Sequence, residues 1–223
     1  MITVIIPALN EEKALPATLD GVFLQQGDFE VIVVDGGSTD ATPDIARGYE
    51  GVQVITTATG RASQMNAGAA LSRGEWLLFL HADALLPVNA FESINRLGDQ
   101  VQAGGFRHQF SGSAWGLKLV SWLHNFRCRR TGVLYGDQAM FIQNSLFEKL
   151  GRFPDVDVLE DLLFGEKLVQ VTEPVLLEQA VLSDSRKFEQ KGIWLSLFRV
   201  ILIQVCHELR LPTPTRKFFA SVR

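Results

Sequence analysis

Cysteine is scarce in this 223-residue sequence, and its two copies form no recognisable pattern. Cys128 and Cys206 lie far apart and match neither a metal-binding spacing nor a disulfide framework. We therefore expect two structural thiols in a reducing compartment. The first ten residues, MITVIIPALN, lack the basic stretch and the small-residue cleavage site of a secretory signal, and we expect them to form a strand.

Signatures of several common protein classes are missing as well. No GxGxxG follows the first predicted strand, and no GxxxxGK[ST] occurs, which argues against a dinucleotide fingerprint and a P-loop. The apolar segment 193–211 contains Arg199 and Gln204, so it is too short and too polar to span a bilayer. Hydrophobic residues make up 47% of the chain and charged residues 21%, which predicts one globular domain with a sizeable core.

The net charge is negative over most of the chain and positive only at its end. Residues 186–223 hold eight Lys or Arg and two Glu, a net charge of +6; because the whole chain has −4, the first 185 residues carry −10. The acidic part is expected to repel nucleic acid, whereas the basic end suits an anionic surface.

Strands and helices alternate in the first half of the sequence. Short, β-branched apolar runs predict strands, and helical spacing predicts helices between them. The predicted strands are 2–6, 29–35, 52–57 and 75–81, and the predicted helices are 14–26, a short one from Thr42, and 61–72. This alternation predicts an α/β fold with a mostly parallel central sheet flanked by helices.

The pattern is less regular after residue 100. We predict strands over 103–110, 139–142 and 174–182, helices over 113–126, 144–151, 159–170 and 193–211, and a basic loop over 127–132. The last helix is amphipathic, with basic residues on either side of it.

Polar residues gather after each of the first four predicted strands. The loops are PALNEE (7–12), DGGSTD (35–40), ATGRASQMN (58–66) and HAD (81–83). Ligands of open parallel sheets bind beyond the carboxyl ends of the strands, so the four loops predict one shared site. Each loop alone is also explained by turn formation, which favours Gly, Asn and Asp.

Three acidic positions carry the chemistry of this prediction. Asp35, followed by two glycines, can accept hydrogen bonds from a base or ribose, or end its strand in an Asx-turn. Asp83 suits a divalent cation shared with substrate phosphates, and the nearby His81 is either a further ligand or a backbone-satisfied rim residue. Glu160-Asp161 supplies either a general base or acids that complement a helix N-terminus.

These motifs, in this order, resemble family-2-type glycosyltransferases with the GT-A (Rossmann-like) fold, and a small bacterial subfamily among them. The resemblance runs from residue 2 to about 190. The segments that carry it are VIIPALNEE, VVDGGSTD, GRASQMNAG, LFLHADALLP, YGDQAMFI and FPDVDVLEDLLF.

The resemblance implies a role for each motif. Asp161 is the expected catalytic base, supported by Glu160, and inversion at the anomeric carbon follows from direct displacement. Asp83 matches the last acid of the metal-binding DXD motif and is expected to hold Mg²⁺ or Mn²⁺. The expected nucleotide-sugar-binding residues are Pro7, Ala8, Asn10, Glu11, Asp35, Gly36, Arg61, Asn66, His81, Ala82 and Asp83. Gly136, Asp137 and Gln138 fall on the donor-sugar and acceptor side, and Arg186 falls where many members bind the diphosphate.

Two departures from the family pattern affect substrate choice. Gly36 replaces an acid of the usual DDGS, so UDP is expected but GDP or dTDP stays open. His81 replaces the first acid of DXD. We expect a catalytic domain over 1–190, with a nucleotide-sugar half (1–100) and an acceptor half (101–190), followed by a basic helical segment over 191–223.

Two matters stay open at this stage. The last helix either lies in a membrane interface near a lipid-linked acceptor or packs on the core or on a partner subunit. We expect a cytoplasmic enzyme; the first alternative adds a peripheral position on the inner face of a membrane, and an oligomer also stays open. The alternatives to an enzyme of this type are a non-catalytic sugar-nucleotide-binding protein and a nucleotidyltransferase of similar fold.

Overall fold

The computed structural model describes residues 1–156 and 158–208. One mixed sheet lies at its centre. The strands are β1 (Ile2–Ala8), β2 (Phe29–Asp35), β3 (Val52–Thr56), β4 (Trp76–Phe79), β5 (Ala84–Leu85), β6 (Ala103–Phe110), β7 (Phe141–Gln143) and β8 (Val175–Ser183). The helices are α1 (Leu15–Phe23), α2 (Thr42–Arg47), α3 (Arg61–Ala70), α4 (Ala90–Asn95), α5 (Trp115–Thr131), α6 (Asn144–Lys149), α7 (Glu160–Leu168), α8 (Arg186–Lys191) and α9 (Ile193–Glu208), with a 3-10 helix at Gly136–Gln138.

The strand order is β3-β2-β1-β4-β7-β6-β8-β5. The first four strands of this order are parallel, as the helical crossovers between them require. β7 then runs antiparallel between β4 and β6, while β6 and β8 are parallel. Because β1, β2 and β4 are parallel neighbours, the loops that follow them lie at one edge of the sheet. The fourth predicted site loop follows β3, which is parallel to β2, and lies at the same edge.

Two apolar layers cover the two faces of the sheet. Ile2, Val4 and Ile6 of β1 point into one layer, which contains Leu15 and Leu19 of α1. Ile5 points the other way, into a layer that contains residues of α3, α6 and α7. The alternation explains why β1 reads as a continuous apolar run, and it confirms the predicted α/β architecture.

The predicted loop over 127–132 is wrong, because α5 continues to Thr131. Its buried stripe runs on from Leu117 to Cys128, which is 2% exposed, and of the basic residues around Cys128 only Arg129 and Arg130 lie on the exposed side of the helix. Gly132, at φ 71°, ends it.

The C-terminal helix was predicted over 193–211; α9 spans 193–208 of it, and 209–223 lie outside the described residues. Ile193 and Leu197 of α9 and Phe188 of α8 pack on Phe110 and Leu117. In the described part of the chain, no helix is both long and apolar enough to cross a membrane. The boundary at residue 190 stays a prediction.

Candidate active site

The loops after β1 and β2 are tied together by hydrogen bonds. The Asn10 amide donates to Oγ of Ser38 at 2.9 Å, and Oδ1 of Asn10 accepts from the Thr39 amide at 2.9 Å. The Glu11 amide donates to Oγ1 of Thr42 at 2.8 Å. Asn10 adopts φ 55°, which an asparagine tolerates better than most residues. The edge that was expected to bind the nucleotide is therefore a pre-formed surface.

Asp35 ends β2 and is 3% exposed. Its carboxylate accepts hydrogen bonds from the amides of Gly37 and Ser38 at 3.1 Å, which is the Asx-type turn that the sequence offered as an alternative. Ala8 pairs with Asp35 in the parallel register, next to Pro7. A contact between Asp35 and a nucleoside stays a prediction.

Gln64 is a structural residue of this edge that the sequence motifs did not reveal. Its Nε2 donates to the carbonyls of Ala8 (2.9 Å) and Val34 (2.7 Å), and the side chain is buried in α3. A Cβ at Gly36 would lie only 3.0 Å from that Nε2. The glycine in place of the usual acid therefore leaves room for the Gln64 carboxamide. A glutamine on the sheet-facing side of a short helix was the only available signal.

Asn66 does not point to the edge as a free ligand. Its Nδ2 donates to the Phe153 carbonyl at 2.9 Å, and its Oδ1 accepts from the Phe153 amide at 3.1 Å. Both ends of the amide thus link α3 to the chain before α7. The structure gives Asn66 a structural role, and its predicted contact with ribose or diphosphate stays a prediction.

Arg61 connects the third and fourth loops to the acidic pair. Its Nη2 lies 2.8 Å from Nε2 of His81, and its Nε lies 3.7 Å from Oε1 of Glu160. Arginine has no acceptor, so the contact requires an acceptor nitrogen on His81. Glu160 is 3% exposed, and the buried carboxylate and the half-exposed guanidinium compensate each other's charge.

Asp161 is held at the centre of the arrangement by two backbone amides. Gly136 donates to Oδ2 and Leu162 donates to Oδ1, both at 2.8 Å. A Cβ at Gly136 would lie 2.8 Å from Nε2 of His81 and 3.3 Å from Oδ2 of Asp161. These three residues therefore approach one another so closely that only glycine fits between the histidine and the carboxylate.

The 3-10 helix beside Asp161 rests on a polar cluster. Oε1 of the fully buried Gln138 accepts from the Tyr135 amide at 3.1 Å. Asp137 lies 3.3 Å from Nε2 of His124 and 3.8 Å from Nε2 of His108. The side chain of Asp137 is one-third exposed overall, but its Oδ1 is buried against the histidines.

Opposing effects set the pKa values of this cluster. Burial acts to raise the pKa of Asp137, but the adjacent His124 and His108 outweigh it, so the pKa lies well below its ordinary value. Burial acts to lower the pKa of His124, but Asp137 raises it above the ordinary value. For His108 burial dominates and lowers the pKa to about 4, despite Asp137. At neutral pH the cluster therefore holds a carboxylate at Asp137 and a neutral His108, and the Asp137 carboxylate stabilises the charged form of His124.

Asp83 lies at the junction of two other segments. The Ala82 carbonyl accepts from Oγ1 of Thr18 at 2.8 Å, and the Asp83 carbonyl accepts from the Asp184 amide at 3.1 Å. The Asp184 carboxylate in turn accepts from the backbone amide and from Nε of Arg186. The structure thus links the predicted Arg186 to the Asp83 backbone through Asp184, an acid that the sequence motifs did not single out.

The described protein side chains could supply only some of the ligands that a divalent cation at this junction would need. Among the residues that the structure describes, no group of three or more His, Cys, Asp or Glu is placed to hold a metal ion. Asp83 nevertheless offers hard carboxylate oxygens at the loop edge. Mg²⁺ and Mn²⁺ sites commonly combine one or two carboxylates with substrate phosphates and water, and Asp83 fits such a shared site.

Comparison with known proteins places the chain in a family. Residues 3–143 match the family described as "Glycosyl transferase family 2". The chain belongs to glycosyl transferase family 2. The matched part includes the first four strands, the loops that follow them and the Gly136–Gln138 turn. Family 2 membership confirms the resemblance that the sequence motifs carry.

One curated relative and two solved structures illustrate the similarity. The chain is 48% identical over 90 residues to a "PGL/p-HBAD biosynthesis glycosyltransferase" of Mycobacterium bovis, and the match covers 37% of this chain and 35% of that relative. The chain thus spans about a third of the length of the curated relatives that it matches first.

The two structures share the fold at low identity. A mannosyltransferase of Pyrobaculum calidifontis in complex with GDP-Man and Mn²⁺ superposes with TM-score 0.68, at 20% identity, over 99% of this chain and 68% of that one. The glucosyl-3-phosphoglycerate synthase of Mycobacterium tuberculosis, in complex with Mn²⁺, UDP-Glc and phosphoglyceric acid, gives 0.65, at 20% identity, over 96% and 81%. The GT-A fold predicted for this family 2 chain is confirmed.

Proposed function

We propose that this protein is an inverting glycosyltransferase that moves a sugar from a nucleotide-sugar, with UDP as the expected nucleotide, to an acceptor hydroxyl. The observation that carries the proposal is the convergence of His81, Gly136 and Asp161, with Arg61 and Glu160 behind them. Family 2 membership supports it, as do the nucleotide-sugars bound by the two structural neighbours.

Asp161 is the proposed general base. Two amide donors fix both carboxylate oxygens at the start of α7, so the group is oriented before a substrate arrives. It takes the proton of the acceptor hydroxyl as that oxygen attacks the anomeric carbon. The bond from this carbon to the diphosphate oxygen breaks, and its electron pair leaves with the nucleotide. One direct displacement inverts the configuration.

Glu160 and Arg61 act as supporting residues in this scheme. The buried carboxylate holds the guanidinium of Arg61 at the edge, where it also contacts His81. From there Arg61 can approach the donor diphosphate. Arg186, held by Asp184 beside Asp83, supplies a second cation near the same place.

Asp83 is the proposed ligand for Mg²⁺ or Mn²⁺. When bound, the ion neutralises charge on the departing diphosphate. Because His81 stands where relatives have an acid, the protein would contribute one carboxylate fewer to the ion, and Asp83 would be its protein carboxylate ligand. The Mn²⁺ bound by both structural neighbours supports this proposal.

The test uses two substitutions and a thermal-shift panel of UDP-, GDP- and dTDP-sugars with Mn²⁺. A nucleotide-sugar that binds the native state raises the melting temperature by mass action. We expect Asp83→Ala to lose the metal-dependent part of the shift. Asp161→Asn should keep the shift but lower the rate of sugar transfer or donor hydrolysis by about 10²–10⁴-fold, as loss of a general base does.

Asp99→Asn, an exposed acid in the loop before β6, is the matched control and should behave as wild type. Full activity in both site variants would contradict the assigned roles. Binding of nucleotide-sugars without any turnover would favour the non-catalytic alternative. A nucleotidyltransferase would need a Gly-rich basic loop after β1, which PALNEE does not provide.

The acceptor and the cellular location belong to the same proposal. We place the enzyme in the cytoplasm, at the inner face of a membrane, with α9 touching the bilayer near a lipid-linked acceptor. The apolar outer side of α9 and the basic residues around it support this part.

A further inference from the structure

α5 has an unusual exposed side. Its inner stripe, which includes Leu117 and Asn125, is buried. The opposite side carries Trp115, Trp122 and Phe126, at spacings of seven and four residues, which places all three on one helix face. Trp115 is 67% exposed, Trp122 is 57% exposed and Phe126 is 50% exposed. Such large aromatic side chains normally lie inside, so a row of them in solvent points to a partner.

The same row continues on α9. The rings of Trp115 and Trp194 meet with centroids 5.1 Å apart, and a Cβ at Gly116 would lie 3.0 Å from the Ile193 side chain. The two helices therefore cross in close contact at their first turns. On α9, Trp194 and Phe198 are also largely exposed.

We name these exposed side chains of α5 and α9 the aromatic surface: Trp115, Trp122, Phe126, Trp194 and Phe198. It contains three of the four tryptophans of the chain. Indole and phenyl rings favour the boundary between the head groups and the acyl chains of a bilayer, where an apolar ring can be buried while polar groups stay hydrated.

Charge on the same side favours an anionic partner. Residues 113–132 contain four Lys or Arg and no acidic residue; Arg127 lies over the Tyr135 ring and Arg129 pairs with Glu178, so the inference rests on Lys118 and Arg130. Lys118 lies between Trp115 and Trp122 in the sequence and is exposed, as is Arg130 at the last turn of α5. A second copy of the chain, docked through the same surface, would bring these cations together, whereas anionic phospholipid would neutralise them.

The aromatic surface is one helix away from the acceptor side of the candidate site. From the same α5, His124 reaches Asp137 at 3.3 Å, and Asn125 exchanges hydrogen bonds with the backbone of His108 at 2.8 Å. A membrane that touches the outer face of α5 would thus hold the Gly136–Gln138 turn close to the lipid head groups.

We infer that α5 and α9 together form a docking surface for a bilayer that contains anionic phospholipid, with Trp122 and Phe126 of α5 inserted into the interface. This inference rests on the proposed function for its purpose, the delivery of a lipid-carried acceptor. It extends the membrane contact from the C-terminal segment to a helix within the catalytic domain.

The experiment is vesicle flotation of the full chain. The probes are vesicles of phosphatidylcholine alone and of equal parts phosphatidylcholine and phosphatidylglycerol, at low and high salt. We expect flotation with the anionic vesicles that weakens at high salt. The double variant Trp122→Ser/Phe126→Ser should lower the bound fraction about tenfold or more, since two aromatic rings leave the interface. Lys118→Gln/Arg130→Gln should weaken binding to anionic vesicles about fivefold for each charge removed.

The matched control is Leu24→Ser/Val171→Ser, two exposed apolar residues outside the aromatic surface, and it should float as wild type. Circular dichroism melting should show all variants folded. The inference is overturned if the intact chain does not float, or if the α5 double variant floats like the control. If Phe198→Ser loses flotation while the α5 double variant keeps it, the membrane contact is limited to α9, and the inference about α5 is overturned. A dimer that the α5 double variant dissolves, without flotation, would identify a second copy as the partner.

Failure of the proposed chemistry is separable from failure of this inference. Asp161→Asn should float as wild type while losing turnover. The α5 double variant should keep the wild-type thermal shift with nucleotide-sugar and Mn²⁺ in the absence of vesicles, because neither side chain belongs to the candidate site.

Discussion

His108 illustrates how a single buried residue couples the candidate site to pH. Its ring packs edge-on against Phe110 at 4.5 Å, and neither ring nitrogen has a hydrogen-bond partner among the residues that the structure describes. Burial lowers its pKa to about 4. The unfolded chain, with an ordinary histidine pKa of 6.5, therefore binds a proton that the folded chain does not bind between these values.

We predict that the free energy of unfolding falls as the pH is lowered from 6.5 to 4. The sign follows from linkage: a lowered folded-state pKa gives stability that is present above the unfolded pKa and is lost towards the folded one. One proton over this window corresponds to a loss on the order of 3 kcal/mol from His108. The lowered pKa of Asp137 extends the loss to more acidic pH, below the ordinary carboxyl pKa.

The measurement is urea unfolding at several pH values for the wild type and His108→Phe. Phenylalanine keeps the ring contact with Phe110 and cannot titrate, so the slope between pH 6.5 and 4 should drop by about one proton. Equal slopes in both proteins would contradict the prediction. His124 acts in the opposite direction, since its raised pKa gives stability that is lost as the pH rises above the ordinary histidine range.

At the scale of elements, α3 owes its position to small residues that face the sheet. A Cβ at Gly68 would lie 2.6 Å from Cγ2 of Ile5 and 3.1 Å from Cγ2 of Val34. The helix axis therefore lies closer to β1 and β2 than an alanine at this position allows. That closeness lets Gln64, one turn earlier, reach the carbonyls of Ala8 and Val34.

We predict that Gly68→Ala lowers the free energy of unfolding by about 1–2 kcal/mol. Overpacking costs about 1–3 kcal/mol, and the better helix propensity of alanine returns up to about 1 kcal/mol of it. Gly98→Ala is the matched control, because a Cβ there meets nothing within 4 Å and the backbone is not left-handed. Chemical denaturation that ranks the two variants equally would show that α3 can move away from the sheet without loss.

The sequence predicted strands and helices correctly where a single local pattern, such as a short apolar run, was strong. The strands β2 and β6 were predicted at their observed bounds, since short apolar runs bounded by turn residues leave few alternatives. α5 was predicted too short, because three arginines around Cys128 are typical of a loop, whereas the buried stripe of the helix continues to Cys128. The two-residue β5 has no local signal, because its pairing with Ser183 and Leu182 is non-local.

At the scale of the whole molecule, the C-terminal helix has two different sides. Leu197 packs with Phe110, Leu117 and Val120 of the catalytic domain, whereas Leu195 is 49% exposed. The sequence left open whether this helix packs on the core or contacts a membrane. The inner side packs on the core, and the exposed outer side is compatible with contact with a second surface.

We predict that Leu197→Ala lowers the free energy of unfolding by about 1–2 kcal/mol, since Leu197 is partly buried and full burial would give about 2–5 kcal/mol. A loss of that size corresponds to a drop in melting temperature of about 2–8 °C for a chain of this length. Leu195→Ala, on the same helix, should stay within about 0.5 kcal/mol of wild type. Thermal melts of the two variants that coincide would show that α9 does not pack on the core.

The sequence by itself determined the family, the alternation of strands and helices, and the loops that meet at one edge. These follow from local patterns: apolar runs set the strands, and the order of Asp35, Asp83 and Asp161 within their motifs carries the resemblance. Only the tertiary structure decided which polar groups are already engaged, since hydrogen-bond partners such as Phe153 for Asn66 lie 87 residues away in the chain. It also placed the exposed aromatic residues of α5 beside those of α9, because the packing of two helices, and not their separate patterns, decides which sides remain in solvent.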